Sequence, residues 1–434
     1  MGRTAHSVIA SGTRGWAQAR TVEVIVQKYG GTSLASPERI QHVARRVVAA
    51  ADAGASVCVV ASAMGESTDE LLALAASVSP HPHVRELDML LTAGERISIA
   101  LLSMAILDLG REAVSYTGSQ AGIVTDTGHG RARIVEVRSS RVVEALAAGR
   151  IAIVAGFQGV TAGLEPTTLG RGGSDTTAVA LAAALAAELC EIYTDVEGVF
   201  TADPRIVPAA RKLEALSYEE MLELAAAGAR VLALRSVEYA RNYGVRIHVR
   251  SAFVDTPGTR IQEEEGMEHA IISGIAHDTS EAKVTLLEVP DRPGIAAAIF
   301  RPLADAGVNV DMIVQNVAAD GRTDISFTVP KDDLEQAQPV LQVIDRAVGG
   351  RGVTSDVEVG RVSLVGAGMK TNPGVAADMF DALAEAAVNI EIISTSSIRI
   401  SCLVREADVA RAVEAVHDRF RLSEPVVLQE VHGD

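Results

Sequence analysis

Residues 24–38, VIVQKYGGTSLASPE, join a short apolar run to the start of a helix through a pair of glycines. The run Val24–Gln27 is typical of a strand that is covered on both faces of a sheet. The tripeptide Ser36–Glu38 has the order expected for the N-cap and first turn of a helix, which we predict to reach about Asp52. This stretch therefore predicts a strand–turn–helix unit, the building block of an α/β fold.

The same alternation continues to about Ser251. Runs rich in valine and isoleucine predict further strands at Val57–Ser62, Ile151–Gly156, Cys190–Tyr193 and Val245–Arg250. Helical composition predicts helices at Thr68–Ser77, Thr176–Ala187 and Tyr218–Ala227. Strands and helices in succession predict an α/β domain with a mostly parallel sheet sandwiched by helices.

An internal repeat follows a predicted linker at residues 255–268. Val284–Gly294 and Val362–Gly374 are apolar runs that end in Pro-Gly, and each precedes a helical stretch and a second strand. The separation between the two terminal glycines equals the separation between Asn309 and Asn389. Each repeat therefore predicts a small βαββαβ module, and we expect the two modules to pack as a pair.

The composition limits the classes of function. The chain has 434 residues, 48% of them apolar, which suffices for several folded domains and excludes a disordered chain. Its net charge of −17 argues against nucleic acid or a membrane as partner, and its longest apolar stretch, Ala178–Ala187, is too short to span a bilayer. Cys58, Cys190 and Cys402 lie far apart and no metal-binding spacing occurs, so we expect buried thiols, a cytoplasmic protein and no metal site of its own.

Lys28, Gly30 and Gly31 form the first candidate site. The glycines would let backbone N–H groups approach a phosphate, and the lysine would reach a transferring phosphoryl group. The sequence contains no Gly-x-x-x-x-Gly-Lys-Ser/Thr loop and no protein-kinase signature, which excludes those two nucleotide-binding classes. An ordinary strand-to-helix turn remains the alternative interpretation.

The second candidate site is Thr167–Thr177, TTLGRGGSDTT, in which three glycines surround Arg171. A guanidinium matches the geometry of a carboxylate, and Asp175 would cap the following helix or position a reactive group. The alternative is a glycine-rich turn followed by an ordinary N-cap.

The third candidate site is Tyr193–Arg205, YTDVEGVFTADPR, a polar segment after a predicted strand. Ligands bind beyond the carboxyl ends of strands in open α/β sheets, so Arg205 would contact phosphate and Asp195 would hold a ribose or the metal–nucleotide. An ordinary loop is the alternative. Two weaker segments, Ser62–Asp69 and Thr92–Arg96, also lie at strand or helix ends.

Together and in this order, the motifs resemble aspartate kinases of the amino-acid kinase superfamily, from about Val24 to Val427. The matching segments are Lys-Tyr-Gly-Gly-Thr-Ser, Thr-Ala-Gly-Glu-Arg, Gly-Phe-Gln-Gly, Leu-Gly-Arg-Gly-Gly-Ser-Asp and Thr-Asp-Val-Glu-Gly-Val-Phe-Thr-Ala-Asp-Pro-Arg. The repeat resembles the paired ACT modules of that family, in its actinobacterial lysine/threonine-regulated form. The resemblance implies a catalytic domain at 22–255, a linker with a first regulatory strand at 256–283, and ACT modules at 284–358 and 359–434. Residues 1–21 contain arginines but no apolar run of a secretion signal, so we expect a flexible extension or a misassigned start codon there.

The resemblance also implies the reaction, which is phosphorylation of the side-chain carboxylate of L-aspartate by ATP with Mg²⁺. Its catalytic residues would be Lys28 and Asp175, and aspartate would bind Ser62, Thr68, Glu95, Arg171 and Ser174. Of these, Glu95 would bind the ammonium and Arg171 the α-carboxylate. ATP would bind Lys28, Tyr29, Gly30, Gly31, Tyr193, Thr194, Asp195, Asp203, Pro204, Arg205 and Arg230. A carboxylate is a nucleophile at neutral pH and needs no general base, which agrees with the lack of a histidine or cysteine constellation.

Lysine and threonine are the effectors that the resemblance implies. The residues expected to bind them are Gly294, Asp311, Gln315, Asn389, Ile390 and Ser396. The sequence departs from the family at Arg230, where lysine is usual. It also has Ile295 and Ser397 in place of glutamates, and Ala318 in place of serine. We therefore predict weak feedback inhibition.

The assembly and two rival functions stay open. In related enzymes a small subunit starts inside the reading frame, and Met267 lies at the equivalent place, so the sequence is compatible with a homodimer or an α2β2 assembly. The rivals are a kinase for another acidic amino acid and a non-catalytic amino-acid sensor. The presence of Lys28, Arg171 and Asp175 favours a catalytic protein over a sensor.

Overall fold

The computed structural model describes residues 23–263, 271–315 and 321–424. These residues form two compact units. The first unit contains residues 23–199, 212–222 and 230–263, and the second contains residues 200–211, 223–229, 271–315 and 321–424. The predicted extension at 1–21, Met267 and Ala318 lie outside the described residues.

The strands of the first unit are β1 (Val24–Tyr29), β2 (Ser56–Ala61), β3 (Ala113–Tyr116), β4 (Ile123–Thr125), β5 (Ile134–Val137), β6 (Ile151–Ala155), β7 (Gln158–Thr161), β8 (Pro166–Thr168), β9 (Leu189–Thr194), β10 (Ala215–Ser217), β11 (Ile247–Ser251) and β12 (Thr259–Gln262). Its helices are α1 (Pro37–Asp52), α2 (Ser67–Val78), α3 (Val84–Asp108), α4 (Ser140–Ala147), α5 (Gly173–Leu185), α6 (Tyr218–Ala226) and α7 (Leu234–Tyr243). The last residues of α6 are grouped with the second unit.

The main sheet of the first unit has the strand order β10-β12-β11-β9-β1-β2-β6-β3. Neighbouring strands from β11 to β3 run parallel, whereas β12 is antiparallel to β11. The predicted mostly parallel sheet is therefore confirmed. Because the central strands are parallel, the carboxyl ends of β9, β1, β2 and β6 meet at one edge of the sheet, and this edge positions the site described below.

Local sequence signals determine the helix starts. The Ser36 hydroxyl accepts a hydrogen bond from the Arg39 amide at 3.4 Å, and Pro37 is the first helical residue, as predicted. At α6, the Glu220 amide donates to the Ser217 hydroxyl at 3.2 Å, while the Glu220 carboxylate accepts from the Ser217 amide at 3.0 Å. This reciprocal pair is a capping box.

A smaller sheet with the order β5-β4-β7-β8 lies in the same unit. Its last strand, β8, leads directly into the glycine-rich segment that begins α5. Nearly every residue of α5 is buried, which explains why this helix shows no amphipathic pattern.

The strands of the second unit are β13 (Gly274–Asp278), β14 (Glu281–Pro290), β15 (Asp311–Gln315), β16 (Arg322–Pro330), β17 (Val353–Asp356), β18 (Val359–Val365), β19 (Ile392–Thr395) and β20 (Arg399–Arg405). Its helices are α8 (Ile295–Asp305), α9 (Leu334–Val348), α10 (Val375–Glu385) and α11 (Val409–Arg419). They form two four-stranded antiparallel sheets with the orders β15-β16-β14-β17 and β13-β18-β20-β19.

The first module runs β14-α8-β15-β16-α9-β17, the predicted βαββαβ order. In the second module, β13 takes the sheet position that β17 takes in the first. This strand precedes the first module in the chain, so the second module draws on residues far from the contiguous range predicted for it. The repeat predicts the folding unit, but not which segment supplies its edge strand.

Two limits of the predicted catalytic domain also differ from the structure. Strand β12 pairs with β10 and β11, so the main sheet continues beyond residue 255. Residues 200–211 are grouped with the second unit, because Ala202 and Val207 are buried in the same apolar core as Met379 and Cys402.

One described helix, α3, is long and apolar enough to cross a bilayer by length and composition. Half of its apolar window is buried within the protein, as in a core helix, and this is weak evidence for a membrane span. Its buried face carries Asp88, Thr92 and Glu95, which contribute to the site below.

Candidate active site

The site lies along the edge where the parallel strands of the first unit end. The Ser62 amide, just after β2, donates to the Tyr29 carbonyl at 3.1 Å, and the Gly156 amide, just after β6, donates to the Ala61 carbonyl at 2.9 Å. The loops that follow β1, β2 and β6 therefore begin at the same edge of the sheet. Residues that are far apart in sequence meet at this edge.

Lys28 and Asp175 form an ion pair across this edge, with Nζ 2.6 Å from Oδ1. Their side chains are only 12% and 11% exposed, so each charge depends on the other for compensation. A Cβ atom at Gly30 would lie 3.5 Å from the Lys28 Nζ, so the glycine leaves space beside the ammonium group. The ammonium has three donors, and those that do not face Asp175 are available for a phosphate oxygen.

Ser174 and Arg171 lie at the start of α5, next to Asp175. Ser174 is buried against Gly156, where an added Cβ atom would lie only 2.7 Å from the serine hydroxyl. Arg171 is exposed and forms no hydrogen bond or ion pair with the described residues. The start of α5 therefore carries the hydroxyl of Ser174 and the carboxylate of Asp175, and the unpaired guanidinium of Arg171 lies just before it.

Glu95 is a buried carboxylate on the inner face of α3, with 2% exposure. Its Oε1 accepts a hydrogen bond from the Ala63 amide at 3.2 Å, whereas its Oε2 is buried without a hydrogen-bond partner among the described residues. Burial raises the pKa of Glu95 to about 7. An unpaired carboxylate oxygen in this position is suited to a cationic ligand group such as an ammonium.

Ser62 and Thr68 belong to the segment 62–68, which contacts Glu95 through the Ala63 amide. Ser62 precedes the Ala63 amide that Glu95 binds, and its carbonyl accepts from the Ser98 hydroxyl at 2.7 Å. Thr68 is half-buried in the first turn of α2. A Cβ atom at Gly31 would lie 2.9 Å from the Gly65 carbonyl, so only glycine allows the phosphate-side loop to approach this segment.

The side chains of Tyr29 and Tyr193, which we predict to line an ATP site, are buried. Their rings stack with 4.7 Å between centroids, and both are fully buried. The Arg46 guanidinium of α1 lies 4.9 Å from the Tyr193 ring, whereas strand alternation points the side chain of Lys28 to the opposite face of the sheet. The backbone carbonyl of Tyr193 lies at the edge of the site, where it accepts a hydrogen bond from the Gly30 amide at 3.3 Å.

Other predicted nucleotide residues are divided between the units. Thr194 is the last residue of β9 in the first unit, and its hydroxyl lies 3.1 Å from the carboxylate of the following residue, Asp195. Arg230 is exposed in the same unit. Asp203, Pro204 and Arg205 belong to the second unit. There the Arg205 guanidinium pairs with Asp203 at 2.6 Å and lowers the pKa of that carboxyl.

The predicted effector residues lie in the second unit. Gly294 is the N-cap before α8, Gln315 ends β15, and Asn389 and Ile390 precede β19. The Asp311 carboxylate pairs with the buried guanidinium of Arg361 at 2.6 Å. Ser396 donates to Glu223 at 2.9 Å.

Ser396 and Ser397 also line a cleft of about 410 Å³ together with the turn that begins α10. Ile295, the other residue that stands in place of a family glutamate, is buried at the start of α8.

Sequence reasoning missed Asp88, which is 1% exposed on α3 and holds the loop before the glycine-rich segment. Its partners lie 41 to 80 residues away in sequence, and no local motif indicates them. Within the ranges 23–263, 271–315 and 321–424, no group of three or more His, Cys, Asp and Glu side chains is arranged to hold a metal ion.

The profile of the Amino acid kinase family matches residues 23–251, and two ACT domain profiles match residues 283–349 and 362–420. An aspartokinase of Corynebacterium efficiens is 59% identical, covering 92% of this chain and 96% of that protein. The crystal structure of E. coli aspartokinase III with aspartate and ADP is 25% identical, with a TM-score of 0.81 and coverage of 92% and 99%.

The same E. coli enzyme in complex with lysine and aspartate, in its T-state, has a TM-score of 0.71 at 25% identity, with the same coverage of each chain. Sequence, domain order and fold agree over nearly the whole chain. The chain therefore belongs to the aspartokinase family, as an amino acid kinase domain followed by two ACT domains.

Proposed function

We propose that the chain transfers the γ-phosphoryl group of Mg-ATP to the side-chain carboxylate of L-aspartate, forming 4-phospho-L-aspartate and ADP. The observation that carries the proposal is the Lys28–Asp175 pair at the strand edge that Ser62, Ser174 and the loop beside Glu95 also reach. The aspartate and ADP bound to the related E. coli enzyme support the choice of substrates.

Aspartate would be held by charge complementarity at its α-carbon. The unpaired oxygen of Glu95 would accept hydrogen bonds from the ammonium, and the free guanidinium of Arg171 would bind the α-carboxylate in a bidentate manner. Ser62, Thr68 and Ser174 would supply hydroxyl contacts. With the α-carbon groups bound, the side-chain carboxylate is directed toward Lys28.

The chemical step needs positioning and charge stabilisation and no general base. An oxygen of the aspartate side chain forms a bond to the γ-phosphorus while the bond from that phosphorus to the β–γ bridging oxygen breaks, and ADP leaves with that electron pair. Lys28 would stabilise negative charge on the transferring group. Asp175 holds the Lys28 ammonium in place through their ion pair.

The nucleotide would approach the backbone at Gly30 and Gly31 and the end of β9 at Thr194 and Asp195. Contacts from Asp203, Pro204, Arg205 and Arg230 are part of this proposal. Mg²⁺ usually binds through substrate phosphates and one or two carboxylates, keeping several waters. The ion would therefore enter with ATP as part of the substrate.

We further propose that lysine and threonine bind the ACT modules at Gly294, Asp311, Gln315, Asn389, Ile390 and Ser396, with weak inhibition because Ile295 and Ser397 supply no carboxylate. The lysine bound to the related E. coli enzyme supports an amino acid as effector. A cytoplasmic location is part of the proposal, as is assembly as a homodimer or with a small subunit that starts near Met267.

The test is ATP-dependent acyl-phosphate formation, trapped as the hydroxamate, with L-aspartate as substrate and L-glutamate as control. We expect turnover with aspartate alone, abolished in K28A and retained in K331A, which removes a lysine paired with Glu406 in the second unit. Turnover with glutamate at the same rate would support a different acidic substrate. Failure to form hydroxamate while lysine or threonine still binds would overturn the kinase function in favour of a sensor.

A further inference from the structure

Asp88 is a buried carboxylate on α3 that takes no part in the chemistry proposed above. Its Oδ1 accepts a hydrogen bond from the Thr168 hydroxyl at 2.5 Å, and its Oδ2 lies 2.7 Å from the His129 Nδ1. The Gly130 amide lies 3.1 Å from both oxygens. Both oxygens of this carboxylate accept hydrogen bonds from two separate chain segments, and Asp88 therefore connects these segments.

One of these segments leads to Arg171, the residue proposed to bind the substrate α-carboxylate. Thr168 is the last residue of β8, three positions before Arg171. The other segment, residues 126–133, supports it from the side. The Ala132 amide donates to the Thr168 carbonyl at 2.9 Å, and a Cβ atom at Gly170 would lie 3.2 Å from the Gly130 carbonyl.

The side chain of Arg235 also connects these two segments. Arg235 of α7 donates from Nη1 to the Leu169 carbonyl at 3.2 Å and from Nη2 to the Ala132 carbonyl at 2.8 Å. The backbone just before Arg171 is therefore held from several directions, while the Arg171 side chain itself is free. The location of its guanidinium depends on this support, because no contact of its own fixes it.

Asp88 and Glu95 lie seven residues apart on α3, with Thr92 between them, and all three are buried on one face of the helix. One rigid helix thus carries the carboxylate for the substrate ammonium and, through Asp88, supports the segment for the substrate α-carboxylate. The two groups to be recognised are attached to the same carbon atom of aspartate, so their receptors must keep a constant separation.

We propose that Asp88 is a positioning residue for aspartate recognition, acting through Thr168 and the 126–133 segment to fix where Arg171 meets the α-carboxylate. The inference rests on the proposed function, in which Arg171 binds that carboxylate. It assigns a positioning task to Asp88, His129 and Arg235, which hold the backbone before Arg171.

The test compares steady-state kinetics of D88N with those of D52N, which alters an exposed carboxylate paired with Arg111. We expect D88N to raise the KM for aspartate by about 10- to 100-fold, because a displacement of about 1 Å is enough for losses of that size. The KM for ATP should stay within about twofold of the wild-type value, since the nucleotide residues are elsewhere. D52N should leave both KM values unchanged.

A double-mutant cycle separates positioning from simple loss of structure. R171A alone should raise the KM for aspartate, and D88N should add little in the R171A background, because Asp88 acts through Arg171. Additive effects would overturn the inference. An R171A variant with normal KM for aspartate would instead refute the proposed role of Arg171, so the two failures are distinguishable.

If D88N does not fold, T168V and H129N each remove one contact of Asp88 and carry the test. Each should raise the KM for aspartate by about fivefold, the equivalent of one hydrogen bond, and leave the KM for ATP unchanged. A KM for aspartate within twofold of wild type in both variants would overturn the inference, as would an equal rise in both substrates' KM values.

Discussion

The replacement Glu95→Gln tests how the site recognises the substrate ammonium. In the wild-type protein, Glu95 is 2% exposed, its Oε1 accepts from the Ala63 amide at 3.2 Å, and its Oε2 has no hydrogen-bond partner among the described residues. Burial raises the pKa of Glu95 from 4.5 to about 7. The glutamine keeps the shape and the Ala63 contact but removes the charge.

The structure sets the size of the effect on binding. Loss of one charge-assisted hydrogen bond costs about 2 kcal/mol, so the KM for aspartate in E95Q should rise by about 30-fold. In the wild type, only about a tenth of the free enzyme carries an ionised Glu95 at pH 6. The kcat/KM for aspartate should therefore fall about tenfold between pH 8 and pH 6, and E95Q should lack this acid limb.

The same pKa shift predicts an effect on stability. Because the folded-state pKa lies above the unfolded value, the contribution of Glu95 to stability is complete below about pH 4.5 and is lost as the pH rises through 7. The charged form costs about 3 kcal/mol at pH 8. In E95Q that cost disappears, but a buried amide N–H group remains unpaired at about 1–2 kcal/mol. The substrate-free variant should thus be about 1–2 kcal/mol more stable at pH 8.

The assays are hydroxamate formation over about pH 5.5–8.5 and urea unfolding of the substrate-free protein at pH 5 and pH 8. At one aspartate concentration that saturates both proteins, the wild type should gain about 2 kcal/mol more stability than E95Q, because an affinity about 30-fold weaker lowers the ligand stabilisation by that amount. An acid limb that persists in E95Q with the same midpoint would refute the reasoning. So would a variant that is less stable than the wild type at pH 8.

Three further predictions concern other residues. K28A should lower kcat by at least about 10³-fold with a smaller change in either KM, because Lys28 stabilises charge that develops in the transition state, and hydroxamate kinetics that retain a tenth of wild-type kcat would contradict this. R361A should lower the free energy of unfolding of the second unit by about 3–5 kcal/mol, because it removes the buried guanidinium that pairs with Asp311 and Glu281. An unchanged midpoint of urea unfolding would contradict this prediction. The variant S397E, at an exposed position that lines the cleft beside α10, should be inhibited more strongly by lysine plus threonine than the wild type in the hydroxamate assay, and strong inhibition of the wild type itself would show that a carboxylate is not needed at this position.

Much of the fold followed from local patterns in the sequence. The apolar run Val24–Gln27 and the cap at Ser36 gave a strand and a helix where they were predicted, since short apolar runs and caps depend on neighbouring residues alone. The Pro-Gly repeat predicted two similar modules for the same reason. The positions of Lys28 and Asp175 followed from their place near the end of β1 and in the first turn of α5, because a parallel sheet brings strand ends and the following helix starts together at one edge.

The tertiary structure decided which buried groups meet. The unpaired oxygen of Glu95 and the contacts of Asp88 arise from helix α3 packing against loops that are distant in sequence. The face on which the Tyr193 ring lies depends on strand register, and the strand that completes the second module comes from before the first. A single sequence encodes periodicity and turn chemistry locally. Burial, and with it the raised pKa and the free carboxylate oxygen of Glu95, exists only once the long-range contacts have formed.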